Sequence, residues 1–282
     1  MRRERTSADW IDYFDANDAA WADVPFHRGA EVALDQVRPL MRSLQAWQLG
    51  ETSEAKQLKA AAKRHAYAVG DPDFVEAMKL FILEEQRHGE SLGRWLDAVG
   101  AGRIRRDWGD SLFRWCRHSR PNLEVWTTIV TIVEVLAVVY YSSVRRAIPC
   151  PVLKAICAQI IRDEIPHLEF QTQRLRMLYA RRRPNLLRLT MLGYRLLFTG
   201  TTLTVWFAHR RMFVAGGHGF FSYWRTALRH MQSTWQAMQP VREGEPMKGA
   251  RPVKEMRTLE ATSPSRVART MEPPSRLEGW LH

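Results

Sequence analysis

Cysteine is scarce in this chain. The three among 282 residues, Cys116, Cys150 and Cys157, are too few and too irregularly spaced for a disulfide framework or a zinc site. They fit a reducing compartment. The N-terminal stretch MRRERTSADWIDYFDANDAAW has no apolar core, so no secretory signal is expected, and a cytoplasmic location follows as the expectation. No run alternates apolar and polar residues over strand length, which argues against a sheet. Acidic charge is short as well: 42 Lys and Arg against 30 Asp and Glu leave a net charge of +12. Such a balance points to an acidic partner, whether nucleic acid, an acidic carrier protein or an anionic surface.

Long apolar runs are nearly lacking too. The one exception, VWTTIVTIVEVLAVVYYSSV (Val125 to Val144), carries a single charge, Glu134, near its middle. A central carboxylate opposes insertion into a bilayer by roughly 3 kcal/mol. The flanking segments are amphipathic and rich in charge, so the run reads as a helix buried on all sides in a helical core. A membrane partner is not expected.

What is present is helical periodicity cut by clear breaks. Residues 1–28 form an N-terminal extension that ends in the loop ADVPFHRG. A helical pattern then spans about Glu31 to Val69, with an interruption possible at Gly50, and GDPD follows, with Asp71 as N-cap and Pro72 in the first turn. A second helix runs to Val99 and a connection, RIRRDWGDSLFRWCRHSRPN, carries a short helix of its own. The third helix covers Leu123 to Ala147, and PCP separates it from a fourth that ends near Ala180. Two more helices, within 186–237, complete an all-α domain over 29–239, with its core at about 31–180. From Pro240 to His282 six prolines, mixed charge and few apolar residues read as a disordered tail.

Two of these helices carry the same cluster. LFILEEQRHGE places Glu85 and His88 three apart, and IIRDEIPHLEF repeats the arrangement 79 residues later as Glu164 and His167. That spacing sets each pair on one helix face. Each cluster lies about fourteen residues past a tight break, so counting back equally far reaches the facing position on the preceding helix. On the third helix this position is Glu134. On the first it is Glu54, and the intervals Glu54–Glu85 (31) and Glu134–Glu164 (30) nearly match. Glu51, one turn earlier on the same face, competes with Glu54, and the interval symmetry favours Glu54.

Four facing helices that supply Glu, Glu-x-x-His, Glu and Glu-x-x-His suit two cations, because anionic oxygens neutralise them while single imidazoles leave positions open. On these residues the chain resembles the ferritin-like superfamily of di-iron carboxylate proteins. EEQRH and DEIPH stand close to that superfamily's Asp/Glu-Glu-x-Arg-His signature, over about Glu31 to Tyr179. The resemblance implies a four-helix bundle with additional C-terminal helices and two Fe ions, with Mn or mixed Fe/Mn as variants. Their ligands would be Glu54, Glu85, His88, Glu134, Glu164 and His167. Glu84 and Asp163 would orient the histidines, and Glu51 would stand beside the ligands. One departure is Pro166, inside the second cluster, which either stabilises a bulge or marks a site that has lost function.

The function implied is dioxygen activation for oxidation, hydroxylation or desaturation of an unidentified substrate. Iron storage does not suit a basic chain. The radical-bearing subunit of ribonucleotide reductase has a tyrosine where Leu92 stands, one turn beyond His88. Relatives act on acyl groups held by acyl carrier proteins and on tRNA, and the basic charge suits both. The run RLRMLYARRRPNLLR, with Arg174, Arg176, Arg181, Arg182, Arg183 and Arg188, is a solvated basic face open to such a partner. The rival expectation is a non-catalytic helical module that binds an anionic partner, its metals structural or lost. A homodimer stays open, and Trp47, Tyr140, Tyr141 and Trp206 are expected in the core.

Overall fold

The computed structural model of the protein describes residues 4–21, 23–108, 122–180 and 182–239. Among them every regular element is helical, as the periodicity predicts. The expected short helix of the 103–122 connection falls largely outside the described residues. The tail from Pro240 and the side chain of Arg181 lie outside them entirely.

The segment expected as an extension forms α1, Ser7–Ala19, started by a capping box in which Thr6 and Asp9 bond reciprocally. Trp10 and Phe14 bury its inner face against α4. The first bundle helix is two helices: α2, Leu34–Glu51, and α3, Lys56–Val69. Between them Ala55 takes a left-handed backbone (φ 48°), which ends any continuous helix there. Helix α4, Asp73–Ala98, follows Gly70, whose φ of 71° closes α3 in the left-handed cap that glycine permits. The N-cap of α4 is Pro72 and not the expected Asp71, whose carboxylate instead accepts hydrogen bonds from Ser7 and Arg174.

Helix α5, Leu123–Ala147, begins at Asn122, whose side chain accepts from the Glu124 N–H. It packs along α6, Pro151–Ala180, and 83% of its most apolar window is buried. A helix so covered by protein is a core helix. Helix α6 continues through Pro166. Helix α7, Pro184–Ala215, opens on a proline at its first turn and lies against α5; α8, Phe220–Ala237, closes against α5 and α6.

The packing leaves a polar band between two apolar clusters. One cluster gathers Trp10, Phe14, Leu58, Phe74, Phe81, Trp126 and Phe170. The other holds Leu44, Leu92, Trp95, Leu136, Tyr140 and Ile160. On α4 residues 83–91 separate the two clusters; on α6 residues 163–167 lie between Ile161 and Leu168 of the second cluster, with Phe170 of the first just beyond. Water is excluded on both sides, so polar side chains in the band must satisfy one another or a bound ion.

Candidate metal centre

Glu84, Glu85 and His88 enter this band from α4, Glu134 from α5, and Asp163, Glu164 and His167 from α6. Ligand atoms of Glu85, Glu134, Glu164 and His167 all lie within 4.8 Å of one another. Those of Glu51, Glu85 and His88 do the same, so Glu85 belongs to both groups. Five of the six residues expected as ligands are therefore brought together.

Glu54 is not. It stands in the α2–α3 break with its side chain 67% exposed and paired to Lys56 at 2.7 Å, which holds its carboxyl below the usual range. Its place is taken by Glu51, the last residue of α2. The interval count assumes an unbroken helix through this point, and the break at Ala55 invalidates it. Gly89 makes the close approach of Glu51 possible: a Cβ there would lie 2.7 Å from Thr52 Cγ2 and 3.1 Å from Glu51 Cβ. The Gln48 amide also donates to the Gly89 carbonyl at 3.2 Å and ties α2 to α4.

The histidines are held crosswise. His88 Nε2 lies 3.1 Å from Asp163 of α6, and His167 Nε2 lies 3.3 Å from Glu84 of α4. Each carboxylate that precedes a cluster glutamate thus faces the imidazole of the opposite helix, which turns that ring's Nδ1 inward. His167 Nδ1 lies 2.7 Å from Glu85 and 3.4 Å from Glu164. Asn17 of α1 joins the two orienting carboxylates, donating to Glu84 at 2.7 Å and Asp163 at 3.2 Å, and Gln159 donates to both oxygens of Asp163. On the far side Gln171 donates to Glu134 and itself accepts from Thr131.

The inward atoms are treated differently. Among the described residues, Glu85 Oε1, Glu134 Oε2, both Glu164 oxygens, His88 Nδ1 and His167 Nδ1 are buried without a properly aligned hydrogen-bond partner, and so is the outward His167 Nε2. Buried polar atoms normally have one. Burial and then the neighbouring carboxylates drive the acids up: Glu164 to about 7, and Glu51 and Glu134 well above the usual range. Burial pushes Glu85 up too, but the adjacent His167 outweighs it and holds Glu85 at about 2. Burial would lower both imidazoles; the Asp163 hydrogen bond raises His88, and Glu85 first among the carboxylates raises His167. Without a cation this centre needs protons to remain neutral. The donor set of carboxylate oxygens and one imidazole in each group fits hard to borderline divalent ions such as Fe²⁺ or Mn²⁺.

Tyr141, expected as core, is buried as foreseen, and its hydroxyl donates to Glu51 at 2.5 Å. It therefore belongs to the wall of the centre. Beside it opens a cavity of about 180 Å³, floored by Glu51, Glu85, Glu134 and Glu164 and walled by apolar side chains such as Phe81, Ile129 and Val133. Its outer part meets Trp108, Val205, Ala208 and His209. Burial holds His209 down at about 4, so it is neutral, and its Nδ1 shares a hydrogen bond with Ser43 Oγ.

The expected basic face divides. Arg174 is buried on Asp71 and over the Phe74 ring, Arg176 pairs with Glu4, and Arg182 pairs with Glu124. Arg183 and Arg188 remain exposed. Helical spacing could have flagged Gln159, four before Asp163, and Gln171, four after His167. Asn17 leaves no such signal, because only the fold brings α1 to the centre. Compared with known protein families, with curated proteins and with solved structures, the chain matches none, so its reading rests on this geometry.

Proposed function

We propose that the chain is a di-iron carboxylate protein, with Mn or mixed Fe/Mn as variants, and that it activates dioxygen to oxidise, hydroxylate or desaturate a small apolar substrate. In this reading α2, α4, α5 and α6 form a ferritin-like four-helix bundle, and α7 and α8 are additions. One observation carries it: buried carboxylate and imidazole atoms gather in two groups that share Glu85, the ligand atoms of each group lying within 4.8 Å of one another. A non-catalytic module leaves that convergence unexplained.

Glu51, Glu85 and His88 would hold one ion, and Glu85, Glu134, Glu164 and His167 the other. Bound there, the metals would supply open coordination positions and electrons for dioxygen. The chain's own residues do the rest. Asp163 and Glu84 fix the imidazole orientation, Asn17 and Gln159 fix those carboxylates, and Gln171 fixes Glu134. Tyr141 holds a proton at Glu51. The cavity's apolar wall excludes water and favours an apolar guest; a cavity of roughly 150 Å³ accepts a benzene-sized molecule.

Elemental analysis after expression in iron-replete medium tests the reading. About two Fe or Mn per chain are expected. Glu85→Ala should abolish most of that occupancy, Glu51→Ala should lower it, and Glu54→Ala should leave it unchanged. A folded wild-type chain that stays metal-free after reconstitution with ferrous iron and manganese overturns the proposal.

A further inference from the structure

A second feature lies on the outside of α7. From Phe170 to Gln239 the sequence holds eleven arginines and no acidic residue. Within that span Leu189, Leu192, Leu196, Phe207 and Val214 are each between 53% and 66% exposed. They are separated by three, four, eleven and seven residues, all close to whole turns, so they form one stripe. Half-buried Leu203 continues it between Leu196 and Phe207. From Leu189 to Val214 the stripe is about 37 Å long at 1.5 Å per residue. Soluble proteins seldom leave so extended an apolar patch uncovered.

Charge selects the occupant. Exposed Arg188, Arg195 and Arg210 flank the stripe on one side and Arg211 on the other, while Arg225 and Arg229 are exposed on α8. A second copy docked on this stripe would bring two acid-free arginine faces together. An anionic lipid surface answers both features at once: apolar side chains enter the acyl boundary while arginine stems reach the headgroups. We infer that the outer face of α7 seats the protein on an anionic lipid bilayer as a peripheral, not a spanning, attachment. The buried run Val125–Val144 has no part in this.

Co-sedimentation of the full chain with vesicles tests this independently of metal content, which is measured on the same samples. Vesicles of phosphatidylcholine with roughly one third phosphatidylglycerol should pellet the protein, and phosphatidylcholine alone should pellet far less. The triple variant Leu192→Ser/Leu196→Ser/Phe207→Ser should lose binding by roughly tenfold or more. Because these positions are exposed, its circular dichroism and metal content should match wild type. Arg188→Gln/Arg195→Gln/Arg210→Gln/Arg211→Gln should weaken binding to anionic vesicles and flatten its salt dependence. Wild-type protein that stays in solution with both vesicle types overturns the inference. So does a dimer by light scattering that the leucine variant splits, which gives the stripe to a second copy. Binding that appears only after truncation at Gln239 would give it to the chain's own C-terminal segment.

Discussion

Gly89 shows how one residue governs the centre's composition. It directly follows His88, and the end of α2 lies over it so closely that Glu51 reaches the α4 face. A methyl group here meets Thr52 and the Glu51 Cβ at once, and the backbone N–H of Thr52 stands 3.1 Å away, so a side-chain rotation cannot relieve it. Gly89→Ala should therefore displace Glu51 and cost about 1–3 kcal/mol of stability, the usual range for overpacking. The expected result is a chain with a lowered Tm that keeps the Glu134–Glu164–His167 group and loses metal from the Glu51 group. Metal-to-protein ratios together with thermal melts check this. Wild-type metal content in the Gly89→Ala chain would mean that Glu51 is no ligand. Asn17 acts from outside in a comparable way, since its one amide group bonds both orienting carboxylates.

At the scale of elements, the informative case is the α2–α3 break: the interruption expected at Gly50 falls there, but the interval count that favours Glu54 runs straight through it. The helices α4, α5 and α6 are legible because their breaks (GDPD, PCP, RRRPN) are strong punctuation and their apolar periodicity is unbroken. Their carboxylates and histidines can be placed by counting. The stretch ETSEA holds neither glycine nor proline, yet it turns there because α3 must pack against α4 and α5 while α2 follows α4 and α7. Tertiary packing thus overrides local preference, and Ala55 takes on a left-handed conformation that an L-residue resists by roughly 1–2 kcal/mol. For the same reason α1 reads as an extension in the sequence: only long-range contacts reveal that it covers the site. Ala55→Gly should relieve the strain and, after glycine's own entropic cost, raise stability by up to about 1 kcal/mol. Metal content should not change. A loss of stability on Ala55→Gly, measured by chemical denaturation, would show that the turn is not strained.

For the whole molecule, the proposed metal binding should be linked to protonation, and the two should move stability with opposite signs. Without metal, Glu164 is raised from 4.5 to about 7, Glu51 and Glu134 rise well above 4.5, and His88 and His167 rise above 6.5. Each of these groups holds its proton more tightly when folded than when unfolded. Where the folded chain binds more protons, stability falls as pH rises. Glu85, at about 2, and Asp163, also lowered, act the other way, but only below their ordinary values of 4.5 and 3.8. His209, His218 and His230, each lowered from 6.5 to about 4, also act the other way below about pH 7. Across about pH 5 to 8 the metal-free protein should therefore lose stability only above about pH 7, where those imidazoles are neutral in both states. Metal at the proposed centre should reverse the slope, because ligands must shed protons to bind, so affinity and its contribution to folding grow with pH. Melting temperatures across this range, with chelator and with ferrous iron under anaerobic conditions, should converge at the acid end and diverge toward the alkaline end. Parallel curves would mean that the ion binds away from the buried carboxylates, and would move the functional site off the bundle's centre.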